Sequence, residues 1–165
     1  MPIELPAVWI VVLNVTLWPL IQLALAWGFI RMPATWFGAP DCGLQWETRG
    51  FYQRWFGIRY WKNLLPDGAR WLGGGFAKNE LTATDAGYLQ TFIRETRRGE
   101  LCHCCAFAFV PVFFLWNPGW ANLVIIAYAI MANLPCIIAQ RYNRIRLRQL
   151  LARRKGSACR KNPPA

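Results

Sequence analysis

The chain has 165 residues, among them ten tryptophans, ten phenylalanines and five tyrosines, and its mean hydropathy is positive. A soluble domain of this length cannot bury so much aromatic and apolar surface, so the composition excludes an ordinary soluble domain and indicates an integral membrane protein. Nineteen Lys and Arg against eight Asp and Glu give a net charge of +11. Anionic lipid is the expected partner of this charge, and no nucleic-acid partner is expected, because the apolar segments already place the chain in a membrane.

The first predicted element is a membrane helix over residues 7–30, a stretch without a charged side chain. A helix of this length crosses the roughly 30 Å hydrocarbon layer. A cleaved signal peptide is the alternative, but only Glu4 and no basic residue precedes the stretch. We therefore expect a retained span, and leave cleavage open.

Residues 31–98 mix ten basic residues with clusters of aromatic side chains, and Pro and Gly interrupt them repeatedly. Aromatic rings and arginines suit the headgroup layer, since each has an apolar body and a polar end. This region is predicted to form short interfacial helices and turns on the cytoplasmic face, and not a sheet.

The remaining elements form a predicted helical hairpin. Thr84 or Asp85 caps a helix that runs into the apolar segment 99–116, the second span. The turn at residues 117–119 (NPG) leads into the third span, residues 120–140, and a basic tail, residues 141–165. The expected fold class is therefore an all-α integral membrane protein, a single membrane domain with about three transmembrane helices.

Basic residues set the expected orientation. None precedes the first span, ten lie in residues 31–98, none lies in the NPG turn and nine lie in the tail. Basic loops stay on the cytoplasmic side, so the N-terminus is expected outside and the C-terminus in the cytoplasm of a cell (inner or plasma) membrane.

Residues 95–103 (ETRRGELCH) contain the strongest candidate for chemistry, because they place the only histidine at the mouth of a membrane helix. Helical spacing puts Glu100 or Glu95 on the face of His103, where either carboxylate could orient the imidazole. A histidine held in this way is the usual general base for deprotonating a hydroxyl. The alternative is a set of interfacial salt bridges that closes the helix end around Glu95, Arg98 and Glu100.

A second polar group lies at the far end of the hairpin. Asn133, Gln140 and Arg144 share one helix face, and the turn should bring this face back beside His103. The group continues with Arg141, Tyr142, Asn143 and Arg146. Ordinary cytoplasmic flanking by arginine is the alternative, but it does not explain an amide within the apolar segment.

The six cysteines do not form the pattern of a disulfide framework or a metal site, so reduced thiols, no metal and no cofactor are expected. Three of them, Cys102, Cys104 and Cys105, flank His103. An acyl-carrying cysteine remains an alternative to packing.

Three motifs between residues 51 and 151 resemble the glycosyl-diaponeurosporenoate acyltransferase family, enzymes that acylate the sugar of a glycosylated carotenoid. The motifs are residues 55–68 (WFGIRYWKNLLPDG), which contain Arg59, Trp61, Lys62 and Asp67, residues 95–103 (ETRRGELCH), and residues 128–147 with YAIMANLP and QRYNRIRL. They agree with the family in order and spacing.

The resemblance implies acyl transfer from an activated donor, acyl-CoA or a similar thioester, to a hydroxyl of a lipid or glycolipid acceptor. His103 is the expected base, with Glu100, Glu95 or Asp67 orienting it, and Arg98, Arg141 and Arg144 are expected to bind donor phosphates or the oxyanion. The remaining candidate substrate-binding residues are Arg59, Trp61, Lys62, Asn133, Gln140, Tyr142, Asn143 and Arg146. A non-enzymatic anchor or assembly factor that binds anionic lipid, and an acyltransferase for another lipid acceptor, are the alternatives.

Overall fold

The computed structural model describes residues 2–38, 46–65 and 81–161, with side chains described up to residue 154. Every regular element in these ranges is a helix. The α-helices are α1 (Ala7–Arg31), α2 (Arg49–Phe56), α3 (Ile58–Trp61), α4 (Ala86–Ala108) and α5 (Gly119–Lys161). Short 3₁₀ helices cover Ala34–Phe37, Lys62–Leu64 and Val110–Leu115. The prediction of an all-α chain is confirmed for the described residues.

Three helical stretches are long and apolar enough to cross a membrane: Ala7–Arg31, Ala86–Leu115 and Gly119–Arg154. Their outward surfaces carry large apolar side chains that water would not tolerate, among them Val8, Trp9, Leu20 and Trp27 of α1 and Trp120, Leu123 and Met131 of α5. Helices with such surfaces are stable in lipid. The prediction of three membrane helices is confirmed, and the chain is an integral membrane protein.

The second and third membrane helices form the predicted hairpin. Asp85 caps α4 as expected, since its carboxylate accepts a hydrogen bond from the backbone N–H of Tyr88 at 2.7 Å. Near Pro111 the α-helix gives way to the 3₁₀ helix, because proline lacks the N–H that an α-helix needs. The turn at residues 116–118 then reverses the chain into α5.

The end of the hairpin that contains its turn, called the turn end below, is held by α1. Trp18 of α1 packs in a core with Val110, Phe113 and Ala129. The backbone N–H of Ile3 donates to the carbonyl of Leu115 at 3.0 Å, which ties the N-terminal segment to the same end.

The basic segment after residue 140 is a continuation of α5, which passes through Pro135 without a break. Leu147 packs against Leu89 and Phe92 of α4, so the two helices stay paired beyond the apolar region. The helices α2 and α3 lie across α5 at this end, with Tyr52 and Ile58 buried against Ile138, Ala139 and Tyr142. Gly57, in the left-handed region with φ 54°, makes the bend between α2 and α3.

Candidate active site

His103 of α4 faces Asn133 of α5 across the hairpin, with His103 Nδ1 3.0 Å from Asn133 Oδ1. Asn133 is fully buried, and its amide nitrogen donates to the carbonyl of Ala129 at 3.0 Å. This second bond fixes the amide so that its oxygen, which can only accept, points at the imidazole. A neutral His103 therefore carries its proton on Nδ1 and its lone pair on Nε2.

Glu100 lies one helical turn before His103 and binds two arginines of α5. Its Oε1 accepts from Arg141 Nε at 2.6 Å, and its Oε2 pairs with Arg144 Nη2 at 2.5 Å. Arg141 also pairs with Glu47, which precedes α2, at 2.6 Å. This network joins α4, α5 and the segment before α2 next to His103.

Glu95 and Arg98 form a second ion pair of 2.7 Å on α4, and both side chains are buried. Arg98 also donates to the carbonyl of Met32 at 2.8 Å, just after the end of α1. Its guanidinium carbon lies 5.1 Å from the ring centre of Phe37. Arg98 therefore connects the hairpin to the C-terminal end of α1, at the open end of the hairpin opposite its turn.

These contacts give the position of His103 along the hairpin. Arg98 of α4 contacts the end of α1, and it lies five residues before His103. Five residues correspond to about 7.5 Å along α4. On α5, no large apolar side chain is exposed beyond Leu134 among the described side chains, so the lipid-facing surface ends next to Asn133. The pair of His103 and Asn133 thus lies next to the end of the exposed apolar surface of α5.

The other predicted residues of α5 differ in their surroundings. Gln140 is half-buried, and its Oε1 is buried with no hydrogen-bond partner among the described residues. Asn143 is half-buried on the same helix. Asp67 lies outside the described residues.

A separate group of predicted residues surrounds Tyr142, which is buried. Lys62 Nζ and the guanidinium carbon of Arg49 each lie 5.9 Å from the Tyr142 ring centre. The guanidinium groups of Arg49 and Arg59 interact with the Tyr142 hydroxyl. Burial lowers the pKa of Lys62 from its usual value, and the charges of Arg146, Arg49 and Arg59 lower it further.

Trp61, next to this group, packs against the core and makes a local hydrogen bond. Its indole N–H donates to the carbonyl of Phe56 at 2.7 Å, and its ring packs on the core of Tyr52 and Ile138. It holds the bend between α2 and α3, from which Arg59 and Lys62 project.

Two residues of these clusters, Glu47 and Arg49, were not found by sequence reasoning. Glu47 accepts a 2.9 Å hydrogen bond from the hydroxyl of Tyr52, and burial together with this carboxylate raises the pKa of Tyr52 to about 12. Glu47 is the only carboxylate among residues 46–65, in a region rich in cations. That isolation is the one signal that could have marked it as a partner for a distant arginine.

No disulfide joins the described cysteines, which are Cys102, Cys104 and Cys105 of α4 and Cys136 of α5. In the described part of the chain, no group of three or more His, Cys, Asp or Glu side chains could hold a metal ion.

The fold and the site together define a membrane-embedded protein with a histidine-containing polar cluster at one end of its helical hairpin. Residues 33–153 match the family described as glycosyl-4,4'-diaponeurosporenoate acyltransferase. The chain belongs to this family, and it is an acyltransferase.

Curated relatives agree with this assignment. A glycosyl-4,4'-diaponeurosporenoate acyltransferase of Staphylococcus aureus strain Newman is 34% identical over 145 residues, which are 84% of this chain and 87% of the relative. The protein of the same name from strain bovine RF122 / ET3-1 is 33% identical over 138 residues, 81% of this chain and 83% of the relative. No solved structure matches the chain.

Proposed function

We propose that this acyltransferase moves a fatty acyl group from acyl-CoA to a hydroxyl of a glycosylated carotenoid or a related glycolipid, with His103 as the general base. The family and the names of the relatives support the acceptor class. The observation that carries the mechanism is the bond between His103 and Asn133, which leaves the lone pair of the neutral imidazole on Nε2.

In the proposed reaction, the acceptor hydroxyl oxygen attacks the carbonyl carbon of the thioester while its proton passes to Nε2 of His103. The carbon–sulfur bond then breaks, and the thiolate leaves with the proton that the imidazole returns. A base in this position contributes about 10²- to 10⁴-fold to the rate. Gln140 Oε1, buried without a partner among the described residues, is suited to accept a hydrogen bond from a second hydroxyl of the sugar.

The proposed roles of the charged residues follow from their ion pairs. Glu100 is bound to Arg141 and Arg144, so these arginines hold the hairpin together and supply positive charge near the oxyanion that forms on the acyl carbon. Asn133 bonds to the imidazole directly, and the predicted orienting role of Glu100 or Glu95 stays a prediction. Asp67 stays a candidate for orienting the imidazole or holding a sugar hydroxyl.

The reaction can be tested with protein in lipid nanodiscs, supplied with an acyl-CoA and a glycosylated carotenoid. Mass spectrometry should show the acceptor gaining one acyl group, and a thiol reagent should detect one coenzyme A released per acyl group transferred. Acylation of a different glycolipid alone would select the second acceptor named in the proposal, and acylation only of a lipid without a sugar would move the acceptor to another class. Failure to acylate any hydroxyl acceptor would contradict the proposal.

The proposed orientation places the N-terminus outside and the basic end of α5 in the cytoplasm of the cell membrane. The asymmetry of basic residues supports it, because all the cations of the hairpin lie in residues 94–98 of α4 and from residue 141 onward in α5. A reporter that works only in the cytoplasm should be active when fused after Ala165. Activity of an external reporter at the same point would reverse the topology.

A further inference from the structure

Two groups of cations near the open end of the hairpin differ in their electrostatics. Arg98, Arg141 and Arg144 are all paired with glutamates. The second group consists of Arg49, Arg59, Lys62 and Arg146 around Tyr142. No carboxylate among the described residues forms an ion pair with any of these four.

The second group comes from three parts of the chain that fold against one another. Arg49 begins α2, Arg59 lies in α3, Lys62 follows α3, and Tyr142 and Arg146 lie one turn apart on α5. The burial of Tyr52 and Ile58 against α5 fixes this arrangement. The cations are therefore held together by packing, although their charges repel one another.

Two side chains of this group show the energetic cost of the arrangement. The pKa of Lys62 is lowered by burial and by its three cationic neighbours. Arg49 Nε is buried and has no hydrogen-bond partner among the described residues. An anion between these side chains would remove both penalties, and guanidinium groups bind phosphate oxygens through two parallel hydrogen bonds.

We infer that Arg49, Arg59, Lys62, Arg146 and the Tyr142 hydroxyl form a binding site for the phosphates of the acyl donor, distinct from the ion-paired arginines beside His103. This inference rests on the proposed acyl-CoA donor and gives that donor its phosphate site. Arg59 and Arg146 are exposed, so a donor from the cytoplasm can reach the site.

The position of the site fits a donor with separate charged and reactive ends. Tyr142 lies nine positions after Asn133 in α5, about 13.5 Å along the helix axis. In acyl-CoA the pantetheine arm separates the phosphates from the thioester. Phosphates held at Tyr142 would therefore let the arm extend toward His103, and the acyl chain would enter the apolar layer.

The phosphate of an anionic lipid headgroup has the same chemistry, so the experiment must distinguish it from a soluble donor. Binding of unacylated coenzyme A is measured in nanodiscs of phosphatidylcholine, and again in nanodiscs that also contain phosphatidylglycerol. Pantetheine, which lacks the phosphates, is the comparison ligand. Because coenzyme A cannot donate an acyl group, this measurement is independent of turnover.

The variants R59Q and R146Q change exposed side chains, so neither should disturb folding. Each should weaken coenzyme A binding by about tenfold, the loss of one charge-assisted contact, and should leave pantetheine unaffected. R54Q is the matched control, because Arg54 is an exposed cation of α2 outside the group, and it should bind coenzyme A like the wild type.

Unchanged coenzyme A binding in R59Q and R146Q would overturn the inference. A second result would also overturn it: phosphatidylglycerol competes in the wild type but not in the two variants, while coenzyme A binding in phosphatidylcholine is the same in all three proteins. That result would assign the site to a lipid. A wild-type protein that acylates its acceptor from another donor and does not bind coenzyme A would overturn the inference and leave acyl transfer intact. Binding that depends on the cluster, in a protein without transferase activity, would support the site and refute the proposed function.

Discussion

Both ends of the helical hairpin are joined to their surroundings by polar side chains, but the two ends use different chemistry. At the turn end, Asn14 of α1 and Asn117 of the turn exchange hydrogen bonds of 2.8 and 2.9 Å, and the indole N–H of Trp116 donates to Asn14 at 2.9 Å. These groups are neutral. At the open end, Glu100 joins α4 to α5 through two arginines, and the only histidine lies one turn away.

The difference separates polar groups that hold helices together from polar groups that can react. Amides in a membrane satisfy one another and contribute to helix association. Ionisable groups at the same depth are costly, and they usually mark a functional site. The amides of Asn14 and Asn117 at the turn end should therefore matter for folding alone. The ionisable cluster around Glu100 and His103 at the open end should matter for both folding and turnover.

The largest expected effect is that of His103→Ala on turnover. Loss of a general base should lower turnover by about 10²-fold or more, while the protein still inserts and accumulates. Turnover per amount of folded protein in nanodiscs measures the effect, and the variant of the exposed neighbour Cys104→Ala is the control. An active His103→Ala protein with an inactive Cys104→Ala protein would shift the chemistry to the thiol.

The next effect is that of Glu100→Gln, which leaves Arg141 and Arg144 without the charge they share. Removing one partner of a buried ion pair costs about 3–5 kcal/mol, so the variant should unfold more readily, and its turnover should fall less than that of His103→Ala. Thermal unfolding in detergent and turnover are measured together.

The double variant Glu100→Gln with Arg144→Gln sharpens this test. If the pair is coupled across the hairpin, the double variant should be more stable than the sum of the two single losses predicts. Strict additivity would show that the 2.5 Å contact contributes no coupling energy.

The hairpin could be predicted from the sequence for simple geometric reasons. Two charge-poor segments separated by NPG specify antiparallel helices, and His103 and Asn133 lie the same number of residues before and after Pro118. The sequence therefore predicts that the polar face of Asn133 returns beside His103, but it assigns the imidazole to a carboxylate, Glu100 or Glu95, and not to the Asn133 amide. The cap at Asp85 followed from local chemistry as well, because its carboxylate needs only a backbone N–H three residues ahead.

Contacts that depend on how α1, α2 and α3 dock could not be predicted. Arg141 pairs with Glu47 over a separation of 94 residues, and Asn14 reaches Asn117 over 103 residues. No periodicity or turn signal fixes such distances. The division of the cations into a paired group and a group around Tyr142 has the same origin, since it depends on the burial of Tyr52 and Ile58 against α5.

A smaller effect, on stability, is expected at the turn end from Asn117→Ala. Asn117 is nearly fully buried and bonds to both Asn14 and the carbonyl of Phe113. Interhelical hydrogen bonds of this kind average about 0.6 kcal/mol in membranes, with a maximum of about 1.7. The variant should lower the unfolding temperature slightly and leave turnover per folded protein unchanged. A large loss of turnover at unchanged stability would show that the two ends are not functionally separate.

The smallest expected effect concerns pH and Lys62. The pKa of Lys62 is lowered in the folded protein, so this side chain loses its charge at a lower pH than an ordinary lysine. The KM for acyl-CoA should therefore rise by a few-fold as the pH increases through that lowered pKa. Lys62→Arg should remove the rise, because arginine keeps its charge throughout this range.

Stability should respond to the same titration with the opposite sign. Between the lowered pKa of folded Lys62 and its usual value of 10.5, the unfolded chain holds more protons than the folded chain, so stability increases with pH. A KM that rises while the unfolding temperature also rises is thus the signature of Lys62 in donor binding. A KM that rises only as the protein loses stability, and does so equally in Lys62→Arg, would assign the pH dependence to general unfolding and remove Lys62 from the donor site.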